Sequence, residues 1–88
     1  MTVAIDGVMY RVKWDHRQAF RGETTCVIEV SENDAHVLHA VGEAHLHPND
    51  NYSRNRGRRV SLSRALAGFA KRERAAFWSA YREQLGHW

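Results

Sequence analysis

The sequence predicts an α+β domain. The expected architecture is an antiparallel sheet of three to four strands at the N-terminal end, with two C-terminal helices packed on one face, in the order β-β-β-α-α. Three observations carry this. Residues 8–14 alternate apolar and polar side chains with period two, which is the mark of a half-buried strand. Residues 24–30 are rich in β-branched side chains, which favour a pleated surface. Leu62, Ala65, Leu66 and Phe69 recur at helical spacing, i, i+3, i+4 and i+7. Strands first and helices afterwards argue for segregated layers rather than a parallel βαβ sheet.

Taken in order, Val3–Ile5 leads into Asp6-Gly7, a tight-turn dipeptide, so a short hairpin into Val8–Trp14 is expected. Val8, Tyr10, Val12 and Trp14 fall on one face of that strand, and Met9, Arg11 and Lys13 on the other. Residues 15–23 lose the pattern and read as a loop. In 24–30, Cys26, Ile28 and Val30 share one face, and Thr25, Val27 and Glu29 the other. Residues 31–34, SEND, carry turn chemistry. The third strand is expected over 35–47, pairing antiparallel with the second, with Gly42 marking a bulge or break and Pro48 ending the sheet.

Beyond Pro48 the chain is polar and basic up to about Arg59. Continuing the later helix backwards places Arg58 four residues before Leu62, on the apolar face. Either the helix begins near Val60, or Arg58 sits in its first turn and extends its head out to water. Gly57 is compatible with both. Gly68 and the AKRE run at 70–73 mark a joint, and a second helix is expected over 72–85. Phe77, Tyr81 and Leu85 stack at i+4 within it, with Trp78 alongside, and Gly86 fits its C-terminal cap. Phe69, Phe77, Trp78, Tyr81 and Trp88 are read mostly as core, with Trp14 and Trp88 the two expected to be partly exposed.

Eighty-eight residues make one domain, which buries about 60–65% of its unfolded surface and leaves little room for a deep cavity beside its core. Cys26 is the only cysteine, so no intramolecular disulfide can form, and a reducing compartment suits it. No apolar run approaches the ~20 residues of a membrane span, and no signal peptide is visible. A soluble protein of the bacterial cytoplasm, monomer or homodimer, is the expectation.

The net charge of +3 conceals a polarity. Residues 1–50 hold four basic and eight acidic side chains, net −4, and residues 51–88 hold nine basic and two acidic, net +7. Arg54, Arg56, Arg58, Arg59 and Arg64 fall within eleven residues, with Lys71 and Arg72 following and Tyr52 at the edge. A guanidinium fork matches phosphate or carboxylate bidentately, whereas charge that only solubilises could as well be lysine. These eight residues are the expected partner-binding set, with Tyr52 as a stacking surface. The same arginines could instead meet an acidic protein surface.

Other chemistries find less support. His45 and His47 would point the same way on a strand, and Cys26 could join them from its neighbour. A structural zinc site normally takes four ligands at spacings such as C-x2-C, and that spacing is absent. Cys26 lies mid-strand among Thr, Val and Ile, where a packing residue is expected rather than a nucleophile. The sequence contains no G-x-S-x-G elbow, no HExxH, and no G-K-[ST] after its glycine for a P-loop. The expectation is a non-enzymatic protein with no cofactor and no metal.

The block from Gly42 to Leu66 can be written G-x-A-x-x-H-P-x-D-x-x-x-R-x-x-G-R-x-x-x-L-x-R-A-L, and Trp78-Ser79-Ala80-Tyr81 follows as W-x-x-Y. Over residues 42–85 this resembles small accessory proteins encoded by tailed bacteriophages, mostly of unknown function and anti-CRISPR-like by context. Residues 1–41 carry no part of the resemblance. It implies a binding protein that inhibits or modulates a host nucleic-acid-handling complex. The residues themselves leave a second reading open, a DNA- or RNA-binding regulatory or architectural protein.

Overall fold

The computed structural model describes residues 1–17, 23–45 and 54–85. Four strands run β1 Thr2–Ile5, β2 Val8–Arg17, β3 Glu23–Glu32 and β4 Ala35–His45. They form one antiparallel sheet in the order β1-β2-β3-β4. Helix α1 spans Arg54–Ala65, a 3₁₀ turn covers Leu66–Gly68, and α2 spans Lys71–Leu85. The α+β architecture is the one the sequence predicts, with both helices after the sheet. Among the described residues no helix is long and apolar enough to cross a membrane.

Two tight turns fix the sheet register. Asp6 and Gly7 both take positive φ (51° and 80°), and so do Asn33 and Asp34 (49° and 64°). Paired positive φ values are the mirror-image geometry whose twist suits a two-residue hairpin, and Asn, Asp and Gly tolerate it best. Ile5 therefore faces Val8, and Glu32 faces Ala35. The strands outrun the expected limits: β2 continues to Arg17, β3 begins at Glu23, and the second turn needs only Asn33 and Asp34.

The irregularity in β4 lies at His39 rather than Gly42. Ile28 pairs with Ala40 and Glu29 with Leu38, so His39 is the extra residue. Its ring lies 5.7 Å from that of Tyr10 and 5.2 Å from that of Phe69, centroid to centroid. The bulge also reverses the alternation below it. Val37 pairs with Val30, while Leu38 pairs with Glu29 and is left 61% exposed.

Gly42 has a different purpose. A Cβ there would lie 2.0 Å from the Ser61 carbonyl oxygen and 2.3 Å from the Ala65 amide nitrogen. Helix α1 crosses the sheet directly over this glycine. Gly57 is its counterpart on the helix, where a Cβ would come 2.4 Å from Thr24 Oγ1. A glycine on each surface lets helix and sheet backbones approach closely.

The core lies between the sheet and the helices. Val3, Tyr10, Val12, Cys26 and Ile28 meet Leu62, Ala65, Leu66, Phe69, Phe77 and Tyr81. Tyr10, Phe69 and Phe77 pack edge to face, with centroids 5.1–5.7 Å apart, an arrangement that aligns ring edges with opposing ring faces. Phe69 is extended (φ −87°, ψ 152°) and turns the chain between the helices. The Ala70 N–H then donates to Glu73 Oε1 at 3.0 Å, which satisfies a donor at the helix start. On the far sheet face, Glu29 sits between Arg11 Nε at 3.4 Å and Lys13 Nζ at 3.2 Å.

Candidate functional site: a basic groove on the first helix

Helix α1 begins at Arg54, earlier than Val60, so the arginines belong to a continuous helix. The small inward residues Gly57 and Ser61 make this possible. Ser61 is fully buried, and its Oγ donates to the Gly57 carbonyl at 2.7 Å, with the Arg58 carbonyl 3.1 Å away. The Arg58 carbonyl also accepts the Trp14 Nε1–H at 3.3 Å, tying β2 to the helix. With Gly57, Ser61, Leu62 and Ala65 held against the sheet, the 3.6-residue period turns positions 56, 59, 60, 63 and 64 outward.

Those outward residues form one side of an open groove. Its lining is Arg56, Arg59, Val60, Ser63 and Arg64 from α1, with Trp78 from α2 opposite, and it encloses about 440 Å³. None of these lining residues is acidic. From Arg56 to Arg64 the helix rises about 12 Å. Arg64 is anchored, its Nη1 donating to the Glu43 carbonyl at 2.6 Å. That bond uses one of the five donors of a guanidinium. The first turn of α1 holds no acid, so the positive end of the helix dipole adds to the arginine field.

Trp78 is half-buried and held by its neighbours. Its ring meets Tyr81 at 89° with centroids 5.8 Å apart, and Tyr81 in turn lies 5.9 Å from Trp14. Burial pushes the Tyr81 hydroxyl's pKa up, and the charges of Arg58 and Arg59 pull it back in part. This aromatic row fixes one wall of the groove.

The expected partner-binding set therefore divides. Arg56, Arg59 and Arg64 come together on the groove. Arg58 is half-buried, with its Nε out of reach of solvent. Lys71 and Arg72 stand at the start of α2 and are not among the lining residues; Arg72 pairs with Asp6 in the β1–β2 turn. Arg54 opens α1, and its side chain, like Tyr52, Gly86 and Trp88, lies outside what is described. Trp78 packs partly buried against the core, as its spacing predicts, and also lines the groove. It lies about 100° around the helix from Phe77 and about 60° from Tyr81, which puts it at the edge of the buried stripe.

The histidine and cysteine chemistry does not assemble. Cys26 pairs with Gly42 beneath α1, whereas His45 pairs with Glu23 on the opposite face. His47 lies outside the described residues. His45 Nδ1 sits 3.2 Å from Glu23 Oε1 and its Nε2 sits 3.3 Å from Glu43 Oε2. Each ring nitrogen thus lies beside a carboxylate of its own sheet face. Among the described residues no group of three potential ligands could hold a metal ion. Cys26 is completely buried, which pushes its thiol pKa up to about 12, far from the thiolate a nucleophile needs.

Comparison with known proteins finds no matching family model, no matching curated protein and no matching solved structure.

Proposed function

We propose that this chain is a non-enzymatic binding protein that acts on a nucleic-acid-handling complex of a bacterial host, occupying it through the arginine face of α1. The observation that carries the reading is the groove itself: Arg56, Arg59 and Arg64 on one open surface, with no acid among the described residues that line it. Blocking requires affinity alone, and three guanidinium groups along about 12 Å of helix suit a row of phosphates or carboxylates. The resemblance of residues 42–85 to phage accessory proteins supplies the context, with a CRISPR effector as the candidate complex.

The test is functional. Guide-loaded effector complexes spanning the known effector types are mixed with wild-type protein or with the Arg56→Glu/Arg59→Glu double variant, and target-DNA binding and cleavage are measured. Wild type is expected to inhibit one of them near stoichiometry, and the folded double variant to leave it active. A panel untouched by the wild type, or inhibited equally by the variant, would remove the reading.

The second reading, direct nucleic-acid binding, is favoured by one observation: Trp78 stands opposite the arginines. An aromatic ring beside a cationic row offers a base a stacking surface that a purely electrostatic patch lacks.

A further inference from the structure

We infer that the groove is a seat for single-stranded nucleic acid, with the backbone phosphates on Arg56, Arg59 and Arg64 and one unpaired base on Trp78. This rests on the arginine face being the contact surface, and names what lies in it.

The geometry supplies both halves of such a site. The arginines lie at i, i+3 and i+8 on α1, so their rows follow the helix axis for about 12 Å. At ~3.4 Å per stacked nucleotide this covers about three to four phosphates, and fewer in an extended strand. Val60 adds an apolar side chain among the arginines on α1, and α2 offers the Trp78 ring. Tyr81, itself buried, holds that ring at 89°, so little freedom is lost when a base settles on it. Ser63 adds a hydroxyl between Arg59 and Arg64 that can donate to phosphate or to a base edge.

The pairing of charge with an apolar ring selects the strand state. A duplex presents phosphates outward and keeps its base faces stacked inside, so it could use the arginines and not Trp78. A single strand can use both. An acidic peptide could use the arginines too, which makes it a rival the measurement separates. The groove is open along its face and holds about 440 Å³, room for a base and its phosphate neighbours.

The experiment is a fluorescence-anisotropy titration of the full chain near physiological salt. The labelled probes, each about twelve nucleotides, are single-stranded DNA, single-stranded RNA, the matching duplex, and an abasic strand with the same sugar-phosphate backbone. Single strands of either sugar should bind roughly ten- to hundredfold tighter than the duplex or the abasic strand, the fold-change that stacking one base produces. Trp78→Leu should erase that advantage and leave the weaker duplex binding unchanged, and Trp78→Phe should keep part of it. The abasic comparison uses wild-type protein, so the test stands even if Trp78→Leu fails to fold. Equal binding of abasic and base-bearing strands overturns the base seat while leaving the arginine face in place. No binding of single strands at all also overturns it, and effector inhibition in the preceding assay then reports separately on whether the face meets a protein.

Discussion

Arg58 and Arg59 are adjacent, identical in type, and opposite in setting. Arg58 is half-buried, with its Nε sealed from solvent and its carbonyl bonded to Trp14. Arg59 is exposed and lines the groove. They divide α1 into two faces. The inward face is written in small residues, Gly57, Ser61 and Ala65, that bring the helix down onto Thr24 and Gly42. The outward face carries the charge. The difference teaches that a dense run of arginines is not one structural unit: the small residues Gly57, Ser61 and Ala65, which rest on the sheet, decide which of them face solvent.

The largest effect should come from breaking the inward face. Gly42→Ala places a methyl 2.0 Å from the Ser61 carbonyl oxygen, a backbone atom that cannot rotate away. Overpacking of this kind should cost about 3 kcal/mol or more, a large share of the roughly 4–13 kcal/mol expected for a chain of this length. Denaturant unfolding measures it, and a loss below about 1 kcal/mol would mean the helix does not rest on Gly42. Gly57→Ala should cost less, about 1–2 kcal/mol, because its obstacle is the Thr24 side chain and alanine restores about 1 kcal/mol of helix propensity.

The buried layer beneath α1 also titrates. The Cys26 thiol is pushed from 9.0 to about 12 by burial. The unfolded chain therefore loses its proton first as pH rises. The stabilisation is complete below about pH 9 and declines from there towards pH 12, by up to about 1.4 kcal/mol per pH unit. Thermal melts across that window should show the slope, and Cys26→Ala should flatten it. In native protein near neutral pH the thiol should resist alkylation, and denaturant should expose it to rapid reaction.

A smaller change sharpens the tie between sheet and helix. Trp14→Phe removes the Nε1–H that bonds the Arg58 carbonyl at 3.3 Å and should cost about 0.5–1.5 kcal/mol. An unchanged melting midpoint would show that this bond contributes nothing net.

The fold was legible because its signals are local. Alternation over residues 8–14, β-branching over 24–30 and the i, i+3, i+4, i+7 row from Leu62 each specify an element without reference to the rest. Gly42 was not, because a bulge and a close backbone approach both call for glycine. The true bulge at His39 carries no glycine and is held by ring contacts with Tyr10 and Phe69, which come from distant parts of the chain. The arginines were visible as a cluster, but their division depends on how α1 is rotated against β3 and β4, a tertiary property. The core packing of Trp78 is legible from its place beside Phe77, whereas its second role at the groove depends on where α1 lies relative to α2.

The most direct test of this division compares Arg58→Gln with Arg59→Gln for binding to a single-stranded oligonucleotide across a range of salt. Arg59→Gln should lower the slope of log affinity against log salt by about 0.7, the loss of one phosphate contact, and leave stability within about 0.5 kcal/mol. Arg58→Gln should leave the slope unchanged and lower stability instead. If Arg58→Gln removes as much slope as Arg59→Gln, or if neither changes it, the two faces of α1 are not divided between packing and binding as described.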